Sequence, residues 1–137
     1  NVLAILAQRQ LKKVDRFNNH RREIAKKYSE LLAGGQYEMV DMKNEEGSIY
    51  LRFPVRHPNA HEIIRKAWKQ NLLLGDWYTP PIAPHDTRID KMGYEWGSCK
   101  KAEELAKVTL NLPTHIHISE KEVRSIVQFL TAMNHGD

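Results

Sequence analysis

Seven histidines and a single cysteine are the side chains of this chain best equipped for chemistry. His115 and His117 are one residue apart, so on an extended segment both rings point to the same side, as two ligands of a metal clamp would. His57, His61, His85 and Cys99 are the other candidate ligands. A transition-metal site needs three or four convergent ligands and an ordered outer shell. His-x-His alone supplies neither, and a loop pair bonding backbone is the plainer reading. Cys99 with His85 or His115 could form a thiol–imidazole pair, but the base would need a third group to orient it. The context Gly97-Ser98-Cys99-Lys100 has no protease signature, and a structural cysteine at a helix start accounts for it. The sequence contains no G-x-G-x-x-G, no P-loop and no G-x-S-x-G. The residues alone thus spell out no complete catalytic machine.

A second chemical feature is the stretch from Gly75 to Ser98, which shows no periodicity. It holds Pro80, Pro81, Pro84, Gly93 and Gly97, together with Trp77, Tyr78, Tyr94 and Trp96. A structureless run of this length inside a folded domain is often functional, and its aromatics need a surface or a ligand to pack against.

The elements that must position these groups follow from apolar spacing. Val2, Leu3, Ile5, Leu6, Leu11, Val14, Phe17, Ile24, Tyr28, Leu31 and Leu32 recur at helical intervals up to Gly34-Gly35. That predicts one long amphipathic helix of about 45 Å, suited to bridging two domains, with Asn18-Asn19 as the place for a break. Tyr37 to Met42 and Ile49 to Val55 read as a hairpin around Lys43–Ser48, with Pro54 expected at a strand end or an edge. Asn59 caps a helix that Glu62 could reinforce and that ends near Asn71, and Leu72-Leu73-Leu74 reads as a short buried strand. Lys100 to Lys107 reads as a helix and Val108 to Leu112 as a strand stopped by Pro113. Ser119-Glu120-Lys121-Glu122 is a capping box opening a last helix. The order predicts an α/β domain with a small sheet.

Composition bounds the rest. One domain over residues 1–137 is expected from the length. No apolar stretch is long enough for a membrane span, and a lone cysteine suits a reducing cytoplasm. The net charge is +4 and the pI about 9.2, with much of the excess in the first helix at Arg9, Lys12, Lys13, Arg16, Arg21, Arg22, Lys26 and Lys27. A solvated face, or a face meeting the rest of a larger protein, explains this. The alternative is a stand-alone basic α/β module that binds nucleic acid through helix 1, although nothing else resembles a nucleic-acid fold. The start without methionine, inside an apolar helical pattern, leads us to expect an excerpt.

Two stretches together carry a resemblance. Asn1 to Asp15, with Arg21-Arg22 and Tyr28, is similar to the pattern N-x-x-x-A-x-x-x-x-Q-L-x-K-L followed by R-R-x-x-A-x-x-Y, with Ala4 one position early. Ala102 to Ala106, Leu110 to His115 and Ile118 to Val123 are similar to A-E-x-L-A, then L-x-L-P-x-H-x-x-L-S-x-x-(D/E)-V. In this order, about a hundred residues apart, they resemble the C-terminal domain of the DegT/DnrJ/StrS aminotransferases. The resemblance implies the small domain of a fold-type-I pyridoxal phosphate enzyme: a small, mainly antiparallel sheet packed with helices, behind a long N-terminal helix. It implies a homodimer that transfers an amino group, usually from glutamate, to a keto sugar carried on a nucleotide. The cofactor-binding lysine would lie upstream, in a large domain absent here, so this chain alone would bind no pyridoxal phosphate and be inactive. The family run H-Y-P-x-P-x-H, which leans toward the sugar, corresponds to Gly75–His85. Trp77 stands where histidine is common, Tyr78 and Pro81 are kept, and the second histidine is replaced by Ala83 or displaced to His85. Trp77, Tyr78 and His85 are therefore the candidate substrate-binding residues.

Overall fold

The computed structural model describes residues 1–42, 47–82, 84 and 86–133. Two helices open the chain, α1 (Val2–Leu11) and α2 (Val14–Leu32). Asn1 caps α1 by accepting from the Leu3 amide at 3.1 Å. The long helix breaks at Lys12–Lys13, not at Asn18–Asn19. At the break the Lys13 amide donates to Gln10 O at 2.9 Å, a tighter three-residue closure. Asn19 does not compete with the helix backbone, because its carboxamide accepts from Arg22 at 3.0 Å. Only α2 enters the core, through Ile24, Ala25, Tyr28 and Leu32 at helical spacing, whereas α1 buries nothing. The helix stops where Gly34 takes φ +75°, the left-handed conformation expected of it.

Strands β1 (Glu38–Met39), β2 (Phe53–Arg56) and β3 (Thr109–Leu112) form an antiparallel sheet in the order β1-β2-β3. The predicted hairpin is present, but only Glu38–Met39 pairs, with Val55–Arg56. The turn residues Lys43–Glu46 lie outside the described residues. Pro54 sits within the central strand, contrary to the expectation of an edge or end. The ladder explains why it is tolerated. Asn111, its partner, turns both backbone groups away to Gly75, accepting from it at 2.8 Å and donating to it at 3.1 Å. Pro54 therefore occupies a non-hydrogen-bonded pair, and its nitrogen faces the side where β1 has already ended.

Helices α3 (Ala60–Lys69), α4 (Lys100–Val108) and α5 (Glu120–Met133) complete the fold, with a 3-10 turn at Ile89–Lys91. Asn59 is the N-cap of α3, but its side chain makes no capping bond; Glu62 pairs with Lys66 instead. The run Leu72–Leu74 is not a strand: Leu74 is buried, Leu73 is exposed, and an isolated bridge to β3 comes one residue later at Gly75. The turn is set by Asn71 at φ +58° and by the Leu72 amide donating to Ala67 O at 2.9 Å. The core joins Phe53, Val55, Leu110 and Leu112 of the sheet to Tyr28, Ile63, Val123 and Leu130 of the helices. Tyr37 ties the start of β1 to α5 by donating its hydroxyl to Leu130 O at 3.0 Å.

The capping box of α5 forms as expected, with the Ser119 amide donating to Glu122 Oε2 at 2.6 Å and the Glu122 amide facing Ser119 Oγ at 3.4 Å. Ser119→Ala should cost about 0.5–2 kcal/mol, read as a lowered urea midpoint with an unchanged m-value.

Candidate functional site

The segment after α3 is held at the far edge of β3 by three local contacts. The Trp68 indole donates to Leu74 O at 2.8 Å, Gly75 pairs with Asn111, and Asn111 Nδ2 donates to Trp77 O at 2.6 Å. Gly75 allows the close approach of the two backbones, since a Cβ there would stand 3.2 Å from Asn111 Cβ and push against it. Asn111 is a polar residue set between Leu110 and Leu112 in a buried strand and is 1% exposed. Its Oδ1 is buried without a hydrogen-bond partner among the described residues. Past this anchor the chain turns at Thr79, whose hydroxyl donates to Asp76 O at 2.8 Å, and Tyr78 is placed at φ +69°. A non-glycine residue in that region carries strain of about 1–3 kcal/mol, which the anchored segment has to sustain.

Trp77 and Tyr78 lie edge to face, 6.3 Å apart, and are 47% and 56% exposed. They form one wall of a cavity of about 320 Å³, with Val40, the loop Ser48–Arg52, Pro54 and Asn111 as the others. That volume is at the lower end of small-ligand pockets. The opposite loop is fixed by Thr114, whose hydroxyl is shared between Tyr50 O at 2.7 Å and Leu51 O at 3.0 Å, and by Arg22 Nε donating to Ser48 O at 3.1 Å. Arg52 comes off this loop and lays its guanidinium over the Trp77 ring, 5.6 Å from the centroid. The cavity thus offers two aromatic rings, a stacked cation and a buried carboxamide, the equipment for holding a polar ligand with flat or apolar faces.

Of the expected site residues, Trp77 and Tyr78 are brought together, while Ala83 and His85 lie outside the described residues. Arg52 and Asn111 were not singled out from sequence. The one available signal for Asn111 is a carboxamide between Leu110 and Leu112, and nothing local marks Arg52. Tyr94 and Trp96 belong to another corner, where Tyr94 donates to Glu103 Oε1 at 2.7 Å and packs edge-on to Trp96. Cys99 is the exposed N-cap residue of α4. Among the described residues no group of three or more His, Cys, Asp and Glu side chains could share a metal ion.

His115 and His117 lie with ring centroids 6.0 Å apart. Burial, then the charges of His117, Arg52 and Arg21, hold the His115 pKa below the ordinary histidine value, against a smaller opposing pull from Glu122. With the folded value depressed, the unfolded chain binds the extra proton first. Stability is therefore expected to fall as pH drops below the unfolded value of about 6.5. Thermal melts from neutral to mildly acidic pH should show that slope, and His115→Gln should flatten it.

Residues 1–131 match the DegT/DnrJ/EryC1/StrS aminotransferase family. The chain belongs to that family. Solved structures of similar fold include a Streptococcus pneumoniae protein assigned as a sugar aminotransferase, in its pyridoxal phosphate form, at 21% identity and TM-score 0.78 over 92% of this chain. They also include DesV of S. venezuelae in complex with a ketimine intermediate, at 19% identity and TM-score 0.77 over 93%. A third is Helicobacter pylori PseC, an aminotransferase involved in the biosynthesis of pseudoaminic acid, at 17% identity and TM-score 0.78 over 96%. This chain spans about a third of each, 33%, 34% and 36% respectively. A comparison with curated proteins returns no match. The fold they share is the α/β arrangement with a small antiparallel sheet expected from the sequence.

Pyridoxal phosphate does not fit the cavity of this chain by itself. None of the lining residues, among those described, is a lysine that could hold the aldehyde or a carboxylate that could pair with the ring nitrogen.

Proposed function

We propose that this chain is the C-terminal small domain, residues 1–137, of a pyridoxal-phosphate-dependent aminotransferase. The whole enzyme would transfer an amino group from glutamate to a keto sugar carried on a nucleotide, as a cytoplasmic homodimer. The cofactor and its lysine belong on the part of the polypeptide outside this chain, so the chain alone is inactive. Its part is to bind and orient: the Trp77–Tyr78 wall presents ring faces to the sugar and keeps water from that side of the cleft, and Asn111 holds the wall in place.

The observation that carries this reading is the Trp77–Tyr78 cavity on a chain of this family. Support for a docked large domain comes from α1, whose Val2, Leu3, Ile5 and Leu6 are all exposed. The test uses the complete polypeptide from its own coding region, its visible spectrum, and amino transfer from glutamate to nucleotide-linked keto sugars. Trp77→Ala is expected to raise KM for the sugar about tenfold or more and leave glutamate-driven conversion of the cofactor near normal. A complete polypeptide without a lysine-bearing large domain would end the proposal.

A further inference from the structure

A second cavity, of about 350 Å³, shares a wall with the first and falls within the range of small-ligand pockets. Trp77 and Tyr78 line the cavity described above, whereas their chain neighbours Asp76 and Thr79 line this one. The other wall is α3, whose Ile64, Arg65 and Trp68 follow His61 at three, four and seven residues and so share its face. Trp68 is 44% exposed even though its N–H is already bonded to Leu74 O at 2.8 Å. With its polar atom satisfied and its position fixed, the indole has only ring surface left to offer. His61 is held likewise, donating Nε2–H to Ala106 O at 3.0 Å, and Thr79 is held by its hydroxyl bond to Asp76 O. Arg65 differs from these. It makes no hydrogen bond and no ion pair among the described residues, and Glu62, the carboxylate one turn before it, is paired with Lys66 at 2.7 Å. Asp76, across the cavity, is engaged within the chain.

We propose that this second cavity is a binding site for a small aromatic ring that carries a carboxylate. The ring packs on the free surface of Trp68, and the carboxylate takes the guanidinium fork of Arg65, which matches two carboxylate oxygens at once. Arg65 and Trp68 are three residues apart on one helix, so ring and charge are recognised from a single rigid element. The carboxylate of Asp76 on the facing wall disfavours further negative charge, which selects a carboxylate over a phosphate or diphosphate. Because the 76–79 wall is common to both cavities, a ligand here bears on the segment in which Tyr78 is held at φ +69°. Nothing in this site requires the amino-transfer reaction proposed above.

The test titrates the 137-residue chain with phenylacetate by calorimetry and follows its three indole N–H signals by NMR. 2-Phenylethanol, which keeps the ring without the charge, and acetate, which keeps the charge without the ring, are titrated alongside. Phenylacetate should bind one to one, shift the Trp68 signal most and leave that of Trp96 in place. Both comparison compounds should bind about tenfold more weakly or worse. Arg65→Gln should weaken phenylacetate about tenfold or more, whereas Lys12→Gln on α1 should leave it unchanged. Trp68→Leu should abolish binding. That substitution also removes the bond to Leu74 O, so the exposed Arg65 position and the signals of the unaltered chain keep the test decisive if the leucine variant folds poorly. Absence of binding, a shift centred on Trp77 or Trp96, equal binding of either comparison compound, or equal loss in Arg65→Gln and Lys12→Gln overturns the proposal. None of these readouts depends on amino transfer, so failure here and failure of the enzyme assignment are separable.

Discussion

Replacing Phe53 with alanine is expected to lower the melting temperature by roughly 10–20 °C. Phe53 is fully buried and lies between two other rings, stacked on Tyr28 at 5.9 Å and tilted against Tyr50 at 6.1 Å. Removing a buried phenyl ring costs about 3–5 kcal/mol, because the transfer energy is lost and a cavity remains that stacked neighbours cannot close. The effect should extend to the site, since Tyr50 belongs to the loop that carries Arg52. Thermal denaturation followed by circular dichroism measures it, with Phe53→Leu as the milder control at under about 1.5 kcal/mol. Equal melting temperatures for the alanine variant and the unaltered chain would show that the packing around Phe53 is not as described.

The second large effect is at Asn111, where two substitutions should part company. Asn111→Leu removes the donor to Trp77 O and leaves that carbonyl unsatisfied, at a cost of about 1–3 kcal/mol. Asn111→Asp places a carboxylate against a carbonyl in a buried strand, where the Arg52 guanidinium of the same cavity lies over Trp77 and makes no bond to Asn111 Oδ1. An uncompensated buried charge costs about 3–5 kcal/mol, so at neutral pH the aspartate variant should be the less stable of the two. The sign with pH follows from burial. The aspartate's folded pKa is raised above its unfolded value of about 3.9, so stability is present below that value and lost as pH rises through the folded one. Protonated, the new side chain could again donate to Trp77 O. Denaturant melts near pH 4 and near pH 7, each referred to the unaltered chain at the same pH, measure the difference. If both variants lose the same stability at pH 7, the Asn111–Trp77 bond does not anchor the segment.

What the sequence alone determined is what adjacent residues decide among themselves. The α5 capping box is written in Ser119 and Glu122 because its partners are three residues apart, and the stop at Gly34 needs only one backbone angle. The helical faces of α2, α3 and α5 could be read from apolar spacing for the same reason, and so could the family, whose two motifs are each continuous in sequence although they run across several elements. Tertiary structure decided the rest. Pro54 fits a central strand because β1 is too short to need its missing donor, which is a property of the neighbouring strand and not of Pro54. Leu72–Leu74 gives way to an isolated bridge at Gly75, because close approach to Asn111 outweighs apolar character. The helix breaks at Lys12–Lys13, well ahead of Ile24, the first residue of α2 to enter the core. The site itself shows the division most clearly. Trp77 and Tyr78 were visible as aromatics in an aperiodic run, while Arg52 and Asn111 become site residues only when β2, β3 and the loop after α3 meet. Long-range convergence leaves no mark in local spacing, because the groups that meet are set by which strands pair and in what register.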